Sequence, residues 1–216
     1  MKTIYLLLWA SIVASTATAQ IDASNFSASF SGNYTMYKGN FKKSTPGAKI
    51  DIGYSASEKV RFSLGYSYHA PIKVPSTIST SNGSDLKDVA SEIKYNFSTI
   101  SFAANYTFIN TEEDIFSIYV PVGASYVIAK YKEESKVAYP QGYTPLNQLE
   151  PGKETGFTIN AGLGAQYNLG TVRVFGDAGF AIPANQANGQ YIQNNIPVHL
   201  VFNAGIRIPF GMRDFE

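Results

Sequence analysis

The chain of 216 residues predicts an all-β fold, an eight-stranded antiparallel up-and-down transmembrane β-barrel, and three observations carry that prediction. Eight segments alternate apolar and small polar residues with a period of two. The connections between them are short and long in turn. Beyond the N-terminal stretch, no apolar run approaches the ~18 residues that a spanning helix needs. An exported chain of this kind enters a membrane only as a closed barrel, because only helices and barrels satisfy every backbone group in lipid.

The N-terminus supplies the export. Lys2, an apolar run from Ile4 to Ala14, and Ala17-Thr18-Ala19 before Gln20 describe a secretory signal peptide. The sequence therefore predicts residues 1–19 as the signal, cleaved after Ala19, and residues 20–216 as one barrel domain. Cleavage removes Lys2 and Trp9, the single tryptophan, and takes the net charge from +1 to near zero. Near-neutral charge argues against a nucleic-acid partner. The chain contains no Cys, which excludes disulfides, thiol chemistry and a lipoprotein anchor. No Pro/Gly/Ser linker divides the domain.

The first segment places Phe26, Ala28, Phe30, Tyr34 and Met36 against Ser27, Ser29, Ser31, Asn33 and Thr35. The second carries Ala48, Ile50, Ile52 and Tyr54 against Lys49, Asp51 and Gly53. After the tight turn Ser57-Glu58-Lys59, the third carries Val60, Phe62, Leu64, Tyr66 and Tyr68. The fourth runs through Ile100, Phe102, Ala104, Tyr106 and Phe108, and the fifth through Phe116, Ile118, Val120, Val122, Ala124, Tyr126 and Ile128. The sixth sets Phe157, Ile159, Ala161, Leu163, Ala165 and Tyr167 over Thr158, Asn160, Gly162, Gly164 and Gln166. The seventh has Val172, Val174, Ala178, Phe180 and Ile182, and the eighth runs from Pro197 to Phe210.

Val89 to Phe97 also alternates, but Ile93, Tyr95 and Phe97 stand in opposite parity to Ile100. A bulge at Ser98-Thr99 is expected to flip the parity, with the earlier half extending the fourth strand beyond the membrane. The long connections, Tyr37 to Pro46, Ala70 to Asp88, Tyr131 to Lys153 and Pro183 to Ile196, follow the odd segments. Short periplasmic turns and long outer loops are the outer-membrane pattern.

The inner face follows from the type of polar residue. A face in water is rich in Lys and Glu, whereas these strands offer Ser, Asn, Thr and Gly, which suit the crowded inside of a narrow barrel. Arg61, Arg173 and Arg207 have inward parity near the periplasmic ends, with Asp51 and Asp177 further up. Buried guanidinium groups must be paired. The aspartates, with Asn160, Gln166 and Asn203, are expected to satisfy them in a polar network that plugs the lumen.

The closing strand alternates Val198, Leu200, Phe202, Ala204, Ile206, Ile208 and Phe210 with a largely polar face. Its end, with Asn203, Gly205, Ile208 and Phe210, resembles the C-terminal insertion signal of bacterial outer-membrane barrels. Gly211 to Glu216 follow, so Phe215 is the alternative terminal aromatic. Over the mature chain the sequence resembles the small eight-stranded outer-membrane proteins of the OmpX, OmpW and OmpA-transmembrane-domain type. The resemblance rests on the signal peptide, the eight segments, the run Phe116 to Tyr126 and the C-terminal signal.

That resemblance implies a monomer in the bacterial outer membrane, in contact with lipid, lipopolysaccharide and the barrel-assembly machinery. It carries no cofactor. It implies a structural role or adhesion through the outer loops toward a host or cell-surface ligand. Tyr139, Tyr143 and Leu146 are the candidate contacts. A narrow porin-like channel for small or hydrophobic solutes is the alternative, and a lipid A-modifying enzyme the second alternative. An enzyme needs a His, a Ser and a carboxylate in reach. Only His69 and His199 exist, with Ser67 beside His69 and with Glu92 or Asp88 placed to approach them near the outer mouth, so no enzyme is expected.

Overall fold

The computed structural model describes residues 25–38, 43–111, 115–184 and 198–210. Its strands are β1 (Phe26–Tyr37), β2 (Ser44–Ser55), β3 (Val60–His69), β4 (Ile72–Ser81), β5 (Leu86–Asn110), β6 (Phe116–Ser135), β7 (Thr144–Pro145), β8 (Gly152–Asn168), β9 (Arg173–Pro183) and β10 (His199–Pro209). Eight of them close an antiparallel ring in the order β1-β2-β3-β5-β6-β8-β9-β10, and β10 returns to β1. β4 lies along the outer half of β5, with β7 on its far edge. The signal peptide with its cleavage site, residues 39–42 of the first long connection, the turn 112–114, residues 185–196 of the last long connection and Phe215 lie outside the described residues.

The pairings fix the barrel's geometry. From Ser27 they pass through Gly53, Ser63, Ala103, Gly123, Asn160, Ala181 and His199 and return to β1 at Tyr37, ten residues further along. A stagger of that size tilts the strands, and eight strands leave an interior that side chains nearly fill. The seam between β10 and β1 is tight. A Cβ on Gly205 would sit 2.1 Å from the Phe30 carbonyl oxygen, so this position of the insertion signal takes only glycine.

Alternation sorts the two faces as the sequence predicts. Phe30, Ile52, Leu64, Phe102 and Ile159 are each more than half exposed on the outside, while Ser27, Ser29, Ser31, Asn33 and Thr35 are buried inside. Tyr34, Tyr66 and Tyr68 edge the apolar band at one end, and Tyr106, Phe108 and Tyr167 edge it at the other. Two aromatic girdles around an apolar band are what a membrane-spanning barrel presents to its two interfaces.

The expected bulge at Ser98-Thr99 is absent. β5 pairs with β6 in one register from Ser91 opposite Ser135 to Thr107 opposite Tyr119, and the shift lies between Thr107 and Ile109. Ile93, Tyr95 and Phe97 therefore point inward, on the same face as Thr99, Ser101 and Ala103. What changes along the strand is the character of each face. Below Ser98 the outside is apolar and the inside polar; above it Glu92 and Lys94 stand outside and Tyr95 and Phe97 are buried inside. A strand that leaves lipid for water must exchange its faces in this way without changing parity.

The connection expected from Ala70 to Asp88 is largely strand. It forms β4 and a hairpin into β5, closed at Asn82, whose side-chain oxygen accepts from the Ser84 and Asp85 amides. β4, the outer halves of β5 and β6, and the start of β8 make a sheet that rises above the ring. It carries its own core of Tyr37, Ile72, Tyr95, Phe97, Val127 and Ala129, with Val74, Ile93 and Tyr131 against it.

Candidate functional site

The lumen holds the first candidate. Asp51, Ser29, Arg207 and Arg173 fall on one cross-strand row near the periplasmic end. From the base of β3, Arg61 reaches this row and donates to Asp51 Oδ1 at 2.9 Å, with Ser27 and Ser29 hydroxyls at 3.2 and 3.3 Å. The guanidinium lies across Gly53, where an added Cβ would approach it to 2.1 Å. Arg207 donates to Ser29 Oγ at 3.3 Å and to Gln166 Oε1, and lies over the Phe175 ring at 5.0 Å.

Asp177, expected to share in satisfying the arginines, bonds neutral groups instead. Asp177 accepts from Asn203 Nδ2 at 2.6 Å and from the Tyr119 hydroxyl at 3.3 Å. It stands four residues above Arg173 on β9, roughly 13 Å along the strand at a rise of about 3.3 Å per residue. That is beyond a direct contact. Asn160 likewise bonds Ser125 and Thr158 rather than an arginine. Arg173 is half-buried opposite Arg207.

Above the arginines the lumen contains a cavity of about 140 Å³, lined by Asn33, Lys49, Ser101, Asn105, Thr158 and Asn203 among others. Side chains therefore do not fill the interior completely. Its ceiling is the core of the outer sheet: Tyr37 stacks on Phe97 at 4.8 Å and meets the His199 ring at 5.2 Å. Sequence reasoning misses this ceiling, because a bulge at Ser98-Thr99 turns Tyr95 and Phe97 outward. The signal that finds it is Glu92, Lys94, Lys130 and Lys132 on the opposite parity, charges that cannot face lipid.

The second candidate is the connection after β6, which is held and not loose. Tyr143 donates to Asp85 Oδ2 at 2.7 Å beneath Lys87, whose ammonium is 4.8 Å from the ring centroid. Thr144 and Pro145 pair with Ser81 and Thr80, and Asn147 Oδ1 accepts from the Ser79 amide at 2.7 Å. Glu133, buried at the base, accepts from the Ser91 hydroxyl at 2.5 Å and from the Leu149 amide at 2.9 Å. Burial pushes that carboxyl up; the donors, the Leu149 amide first, outweigh it and hold it below the usual range. Tyr143 is therefore half-buried and engaged, while Leu146 is 60% exposed. Tyr139 donates to Gln148 Oε1.

The family model for the outer membrane protein beta-barrel domain matches residues 5–203. The chain belongs to this family. Among solved structures, the barrel is similar to the Neisserial surface protein A, at 14% identity over 86% of this chain and 97% of that one, with a TM-score of 0.57. It is also matched to the N-terminal barrel domain of Pseudomonas aeruginosa OprF, at 13% identity over 84% of this chain and 96% of that one, TM-score 0.46. A third match is Ail, the attachment invasion locus protein of Yersinia pestis, at 11% identity over 85% and 96%, TM-score 0.45. No curated protein matches the chain by sequence.

In this outer membrane barrel, the end of β10 has a defined place. Asn203 and Gly205 face the lumen, Ile208 and Phe210 face outward, and the Phe210 amide donates to the Phe26 carbonyl at the start of β1. The histidines do meet near the outer mouth, both against Tyr37. His69 contacts Thr35 Oγ1 at 3.3 Å and Ser67 Oγ at 3.5 Å. The carboxylates do not join them. Glu92 is on the outer wall with Lys73 and Lys94, and Asp88 accepts from Ser79 in the hairpin. Among the described residues no group of three His, Asp or Glu could hold a metal ion.

Proposed function

We propose that this outer membrane barrel acts as a surface scaffold: a closed stave that presents a stiff outer sheet for contact with a host molecule or a neighbouring cell. The observation that carries the reading is the outer sheet itself, which has a separate apolar core and whose longest described connection is tied back by Tyr143, Asn147 and Glu133. Order of this kind costs conformational entropy that a merely tolerated loop does not give up. Stiff outer segments bind with less entropy lost than floppy ones. Leu86, Val137 and Leu146 are exposed on the sheet and its connections, available as apolar contacts.

Deleting residues 137–149 removes β7 with Tyr143 and Leu149, the partners of Asp85 and Glu133, while leaving the eight-strand ring. The variant is expected to insert and shift on heating as the parent does, and to lose binding to matrix proteins or cells. Unaltered binding, or none in the parent, defeats the reading.

A narrow channel is the second reading, and the cavity in the lumen favours it. Weighing against it are the paired arginines low in the lumen and the Tyr37–Phe97 stack above the cavity, which narrow it at both ends. Planar-bilayer recordings of the purified protein are expected to give no reproducible unitary conductance; stable, uniform steps would establish the channel instead.

A further inference from the structure

The outer wall of the rising sheet carries lysines in rows. Lys73, Lys94 and Lys132 lie directly opposite one another across β4, β5 and β6, and nearer the apolar band Lys130 lies opposite Lys153 across β6 and β8. The upper lysines have carboxylates. Lys94 and Lys132 bond Glu134, and Lys73 reaches Glu92 at 3.3 Å. The lower pair does not. Lys130 and Lys153 are both exposed and have no ion pair among the described residues. Asn96 faces Lys130 from β5, and Glu154, beside Lys153, has inward parity.

Like charges directly opposite each other on adjacent strands destabilise a sheet. Their height explains why the arrangement is tolerable. Ile128 and Thr155 are the outward residues immediately below, and Tyr126 and Phe157 follow in the next row, their rings 5.1 Å apart. Two residues further along a strand tilted by 35–45° raises Lys130 only about 5 Å above Ile128. A lysine at that level lays its stem on the apolar wall and holds its ammonium among headgroups. An aqueous protein target would find the upper, paired lysines more accessible, whereas a lipid headgroup meets the lower pair first.

We propose that Lys130 and Lys153 form a binding site for a phosphate group of an outer-leaflet lipid, one that the wall of β6 and β8 presents at headgroup height. The lipid phosphate supplies the negative charge that the protein withholds from this pair and grants to the lysines above it. The site fixes one lipid against the side of the barrel from which the sheet rises.

The test uses the full mature barrel in nanodiscs of phosphatidylcholine with a minor fraction of lipid A, native or dephosphorylated. Lipid retained on the protein is counted by mass spectrometry after graded delipidation. The parent is expected to retain native lipid A about tenfold or more over the dephosphorylated form, from two lysines acting at the surface. Lys130→Gln with Lys153→Gln should lose that preference, and Lys73→Gln with Lys136→Gln should keep it. Free inorganic phosphate should not displace the lipid. Equal retention of the two forms by the parent, an unchanged preference in the Lys130/Lys153 variant, or displacement by free phosphate each overturns the proposal. Because the first of these comparisons uses the parent alone, a variant that fails to insert leaves the proposal open to refutation.

Discussion

Replacing Asp51 by Ala should lower the unfolding free energy of the barrel by about 3–5 kcal/mol, because it leaves the Arg61 guanidinium buried without its anion. Both side chains are nearly sealed, at 10% and 7% exposure for Arg61 and Asp51, so water does little to screen the loss. Ser27 and Ser29 remain as acceptors but carry no charge. Removing both members, Asp51→Ala with Arg61→Met, should recover most of the stability, since a buried pair replaced by apolar groups is often neutral. Asp177→Ala should cost less, about 1–3 kcal/mol, because it orphans only the neutral donors of Asn203 and Tyr119. Urea unfolding midpoints of the four proteins in one detergent measure all of this. Equal losses for the Asp51 and Asp177 variants would mean that the Arg61 pair is not what holds the floor.

Phe97→Ala should cost a similar amount, about 3–5 kcal/mol, through loss of a large buried ring. Phe97 is 1% exposed and stacks on Tyr37 and Tyr95. The place of the loss matters more than its size. It should fall on the outer sheet, β4, residues 86–97 of β5 and β7, whose amides should exchange faster with deuterium. Residues 100–108, within the apolar band, should keep their protection. A loss spread evenly over the ring would show that the sheet and the barrel are one cooperative unit.

The ring was legible because a two-residue period survives wherever one face meets lipid and the other a crowded lumen. Phe30 beside Ser29 and Ser31, or Ile159 between Thr158 and Asn160, leaves no other reading. The outer sheet was not, because leaving the membrane inverts the faces, and an inversion at constant parity looks in sequence like a slip of one residue. Lys94 and Tyr95 hold the information, but only once the height of the membrane is known. The lumen was half legible. Inward parity puts Arg61, Asp51, Arg207 and Gln166 on one face, yet parity does not say which of them meet, and four residues of height keep Asp177 from the arginines. The docking of Tyr143 on Asp85 depends on a contact 58 residues distant in sequence, which no local pattern carries.

The exchange of faces at constant parity along β5 is the central claim, and the absence of cysteine from the chain makes it directly measurable. Single cysteines are placed at each position from 92 to 108 and labelled on intact cells with a membrane-impermeant maleimide, then in nanodiscs with a fluorophore quenched by brominated lipid. Positions 92, 94 and 96 should react from outside, positions 100, 102 and 104 should be quenched by lipid, and the odd positions should do neither. Lipid quenching at 93, 95 and 97 would place the bulge at Ser98-Thr99 after all and contradict the continuous strand.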